Sequence, residues 1–97
     1  MFKEKPETLS ILLSEVIDSD DSKIRRALED VLISLSAVKT KEEVVGPVGS
    51  QVIFTENYKI GDDIVTVIEE TYIGIEFSGP KLLALKVFGR ICGGIYS

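Results

Sequence analysis

Alternation of apolar and polar side chains is the strongest signal in this chain. Between Asp62 and Phe77, Val65, Val67, Ile73, Ile75 and Phe77 share one parity, while Thr66, Glu70, Tyr72, Gly74 and Glu76 share the other. That is the period of a half-buried strand or strand pair. Whether residues 64–77 form one bent strand or two turning at Glu69-Glu70-Thr71 is open, since the triplet lacks the Gly or Asn of a tight hairpin; two strands is the reading adopted.

Helical spacing dominates before that stretch. Leu9, Leu12, Leu13, Val16 and Ile17 fall at i, i+3, i+4, i+7 and i+8, with Pro6 and Glu7 suited to a first turn. The run DSDDS, Asp18 to Ser22, breaks the period and supplies N-caps for a second helix. Its stripe is Ile24, Ala27, Leu28, Val31, Leu32 and Leu35, and a short loop between two stripes predicts a helical hairpin. Met1 to Lys5 reads as a frayed end or a brief edge strand.

After Val38 the pattern turns to strands. GPVG, Gly46 to Gly49, predicts a turn; Gln51 to Phe54 a short strand; Thr55-Glu56-Asn57 a break; Tyr58 to Ile60 a further short strand; and Gly61-Asp62 leads into the central stretch. Ser78-Gly79-Pro80 closes the strand region, with Pro80 at the first position of a final helix. The stripe Ala84, Val87, Phe88 and Ile91 is widened by Leu82, Leu83 and Leu85, so that segment is apolar on more than one side. A strand over the same residues is the competing reading. These elements predict one α+β domain over residues 1–97: two layers, an N-terminal helical hairpin, an antiparallel β-meander of four to five strands and a C-terminal helix.

Composition narrows the chemistry. The 97 residues carry a formal net charge of -5, which repels a phosphate backbone at long range, so nucleic acid is not the expected partner. Lys81, Lys86 and Arg90 make the C-terminal segment locally basic and carry the nucleic-acid reading as a third choice. There is no histidine, which removes the commonest general base and transition-metal ligand. No cofactor and no metal is called for. The single Cys92, together with the lack of a secretory leader or of an apolar run of about 18 residues, leads to the expectation of a soluble cytoplasmic protein that does not enter a membrane. Cys92 reads as a small buried side chain ending a helix at Gly93-Gly94.

Site candidates are few. The acidic pairs Asp20-Asp21 and Asp62-Asp63 read as caps and turns, and Glu69 and Glu70, adjacent on a strand, point to opposite faces and do not readily share one ion; in a continuous strand Glu69 shares the parity of Val65 and Val67 and would need a partner or a raised pKa inside an apolar face. Tyr58, Tyr72 and Tyr96 could be assembled with Arg25 and Arg26 into an anion pocket, but no phosphate-loop, dinucleotide or nucleophile-elbow motif occurs. The function expected is a non-enzymatic protein-interaction or regulatory module acting as a homo-oligomer, with Leu82, Leu85 and Phe88 at the interface and a protein partner as a further option. The alternative is a small-molecule-binding protein or small enzyme whose site, on the open sheet face, uses Arg25, Glu69 and Tyr72.

Overall fold

The computed structural model describes residues 7–48 and 51–96; Met1 to Lys5, the Pro6 expected in a first helical turn and Gly49 of the expected GPVG turn lie outside them, and Gly46 to Val48 belong to a strand. The element order is β1 (Thr8–Leu12), α1 (Leu13–Val16), α2 (Asp21–Ser34), β2 (Val38–Val48), β3 (Gln51–Ile60), β4 (Asp63–Glu70), β5 (Gly74–Pro80) and α3 (Lys81–Tyr96). The five strands form one sheet in the order β1-β5-β4-β3-β2, antiparallel throughout. Strands β2 to β5 are therefore a meander, and β1 closes its far edge. The result is the expected two-layer α+β architecture with a C-terminal helix.

The first helical stripe is the largest departure from the sequence reading. Thr8 to Leu12 is a strand, and only Leu13–Val16 makes a turn of helix. The stripe also contains a period of two: Leu9 and Ile11 pair opposite Gly79 and Phe77 and pack on the core, while Ser10 faces Ser78 on the other side. The free edge of β5 satisfies the backbone groups of these residues, so tertiary pairing decides between two patterns written over the same residues. Leu13 and Ile17 remain buried, but Val16, a member of the stripe, is exposed. The helical pair at the N-terminus thus consists of a single turn followed by a full helix.

Helix α2 follows its stripe: Ile24, Leu28, Val31 and Leu32 are buried. Asp20 caps it, accepting from the Lys23 N–H at 2.9 Å and from the Ser22 hydroxyl at 2.8 Å; these bonds lower the Asp20 pKa, the Lys23 N–H contributing most. Its C-terminus closes with Ser36 at φ 56 and bonds from Ser36 N to Ile33 O and from Ala37 N to Leu32 O, a Schellman arrangement with serine where glycine is usual.

Two strands form from the central stretch, as expected, and turn at 71–73. The turn is fastened sideways, since the Thr71 hydroxyl accepts from the Val52 N–H at 2.9 Å. Gly74 then adopts φ 109, and a Cβ there would run into the Ser14 side chain. The Ser14 hydroxyl accepts from the Ile75 N–H at 2.8 Å and donates to Asp21 at 2.7 Å, tying the turn to the start of α2. Three other boundaries differ from the sequence reading. Strand β3 runs unbroken through Thr55-Glu56-Asn57, Pro80 ends β5 rather than opening α3, and α3 continues through Gly93-Gly94 to Tyr96. Cys92 is half-buried within that helix.

One hydrophobic cluster joins Leu13, Ile17 and the α2 stripe to Val65, Val67, Ile75 and Phe77 of the sheet and Ala84, Val87 and Ile91 of α3. The helices pack over β1 and β5, and among the described residues their backbones do not reach β2 or β3. The β2–β3 hairpin therefore projects as a wing: on its helix-side face Tyr58 and Ile60 still pack on the core and Glu56 is buried, while Phe54 and Val44 are exposed, and the molecule measures 49 × 35 × 21 Å. No helix among the described residues is long and apolar enough to cross a membrane.

Candidate functional site

Strand register defines what the wing presents. Val65 and Val67 point to the helices; their partners are Tyr58 and Glu56 on β3, and then Lys39 and Glu42 on β2. Glu69, Phe54 and Val44 form the next row on the same face. Alternation along β3 thus turns a carboxylate, Glu56, towards the interior beside the flank of α2.

Glu56 is 4% exposed and is held on three sides. The Arg25 guanidinium donates to Oε1, the Tyr58 hydroxyl donates to Oε2 at 2.9 Å, and the Lys39 ammonium lies 2.8 Å from Oε2. Arg25 also pairs with Glu29 at 3.0 Å, and Lys39 stands 5.9 Å from the centre of the Tyr58 ring. Burial favours the neutral acid, but the hydrogen bonds from Lys39, Arg25 and Tyr58 outweigh it and bring the Glu56 pKa down to about 2. Burial and the bond to Glu56 raise the Tyr58 pKa, and the same carboxylate raises that of Lys39. A group ionised throughout the physiological range is not a general acid, and a carboxylate with three donors is a weak base. The groove over this network, about 230 Å³, is also lined by Leu32, Ile33 and Ala37.

The residues singled out from sequence fall at different places. Arg25 takes Glu56 and Glu29 as its carboxylate partners, not Glu69. Glu69 is half-buried, opposite Phe54 and Ile75. Tyr72 sits in the β4–β5 turn, 72% exposed. On α3, Leu82 is 83% and Leu85 46% exposed, whereas Phe88 is half-buried and packs on the core. The open sheet face is occupied by cross-strand polar pairs: Ser10 with Ser78, Thr66 with Asn57, and Gln51 with Glu70. Among the described residues no group of three or more Asp, Glu, His or Cys is placed to hold a metal ion.

Glu56 and Lys39 were not singled out from sequence. The signal was present: in an unbroken strand, Phe54, Glu56, Tyr58 and Ile60 share one parity, and a carboxylate among them requires cationic partners. Reading Thr55-Glu56-Asn57 as a break conceals it. Comparison with protein-family models, with curated proteins and with solved structures finds no match to this chain.

Proposed function

We propose that the protein is a non-enzymatic interaction module that acts as a homodimer, in which the β2–β3 wing of each copy receives the first turns of α3 from the other. The observation that carries this reading is the exposed apolar end of the wing. Val44 (54% exposed) and Phe54 (42%) lie side by side, one row beyond the Glu56 that Arg25 of α2 reaches. Next to them Glu69 has no ion pair among the described residues.

The outer side of α3 has the matching chemistry. Leu82 and Leu85 are exposed there, and Lys86 has no ion pair among the described residues. Two leucines on Val44 and Phe54, with Lys86 near Glu69, would bury apolar area and pair two free charges. A two-fold axis doubles the contact, since each copy offers one wing and one helix. The acid held at a pKa of about 2 and the absence of histidine support a binding role over a catalytic one.

Sedimentation equilibrium at micromolar concentration tests the reading. The unaltered protein is expected at twice the chain mass, and Leu85→Asp and Phe54→Lys, both at exposed positions, at the mass of one chain with an unchanged circular dichroism spectrum. A monomeric unaltered protein, or variants that remain dimeric, would overturn it.

A further inference from the structure

A second groove lies away from the wing, between α2 and the end of α3. It has a volume of about 640 Å³ and is lined by Asp18, Lys23, Arg26, Asp30, Arg90 and Tyr96. This size is within the range of small-ligand sites. Ala27, Val31 and Ile95 supply an apolar floor.

The polar groups are predominantly donors left without acceptors. Neither the Lys23 ammonium nor the Arg26 guanidinium makes an ion pair or a side-chain hydrogen bond among the described residues. Arg90 makes one long bond, 3.4 Å, to the Ser34 hydroxyl. The Tyr96 hydroxyl accepts from the Asp18 N–H at 2.9 Å, so its own hydrogen is left for an acceptor in the groove. Three cations and a hydroxyl donor thus outnumber the carboxylates of Asp18 and Asp30, which pair with none of them.

We infer that this groove binds a small organic phosphate, its phosphoryl group held by Arg26 and Lys23 with the Tyr96 hydroxyl at the Asp18 end of the groove, and its organic part on Ala27, Val31 and Ile95. Guanidinium groups match phosphate oxygens in geometry and charge, and Lys23 and Arg26, free of side-chain partners among the described residues, lose none on binding. The site rests on residues separate from the wing, so it stands or falls independently of the dimer.

Titration of the full chain with phenyl phosphate, followed by amide NMR, tests the inference. Saturable shifts are expected at Gly94, Ile95 and Tyr96, with Arg26→Gln weakening binding at least tenfold and phenol alone producing no such shifts. Arg26 is exposed, and retention of the unliganded spectrum by the variant shows that its fold is intact. If the cations serve only to offset the carbonyl end of α3, phenyl phosphate gives no saturable shift, or Arg26→Gln binds it unchanged; either result overturns the site.

Discussion

Glu56 shows how one side chain couples the wing to the helices. Its pKa is about 2 in the folded protein against an ordinary value of 4.5, so the network contributes stability that is fully present above about pH 4.5 and is lost as the pH falls towards 2. Denaturant unfolding between pH 2.5 and 7 is expected to show Glu56→Gln less stable by about 2 kcal/mol at pH 7, with a shallower loss in acid than the unaltered chain. Equal acid slopes would remove Glu56 as the source. Gly74 is the second critical residue. At φ 109, with the Ser14 side chain in the place of a Cβ, Gly74→Ala is expected to cost about 2 to 3 kcal/mol in urea unfolding. The sequence alone suggested neither position: Glu56 was hidden by a misplaced break, and nothing near Gly74 announces a serine sixty residues earlier in the chain.

Among the elements, those whose pattern had a single solution were legible. Helix α2 has an apolar stripe, a capping Asp20 and no competing period, and it forms where expected. The pairing of β4 with β5 follows from alternation on both sides of a turn. Segment 81–91 is helical because its stripe Ala84, Val87 and Ile91 is fully buried, while Leu82 and Leu85 face outward. Strand β1 was not legible, because Leu9 to Ile17 satisfies helical spacing and Leu9 and Ile11 also satisfy a strand; only the free edge of β5 decides between them. The end of α2 carries a strained detail that can be relieved. Ser36 occupies a left-handed conformation, and Ser36→Gly is expected to raise stability by about 0.5 to 1 kcal/mol in the same unfolding assay. A loss would show that the Ser36 side chain stabilises the helix end.

At the scale of the whole molecule, the sheet is wider than the helices that cover it. The layered α+β plan could be read from the chain, but the projecting wing could not, because which strands lie beneath the helices depends on sheet order. The order β1-β5-β4-β3-β2 puts β1 and β5 beneath the helices and β2 and β3 beyond their backbones, which leaves Val44 and Phe54 exposed beside the half-buried Glu69 and makes the proposed exchange of wing and helix possible. Native mass spectrometry of charge-reversed variants tests that exchange most directly. Glu69→Lys alone and Lys86→Glu alone are expected to shift the protein towards the mass of one chain, and the two changes together in one chain to restore the mass of two. Single variants that stay fully dimeric, or a double variant no more dimeric than either single one, would contradict the exchange of wing and helix.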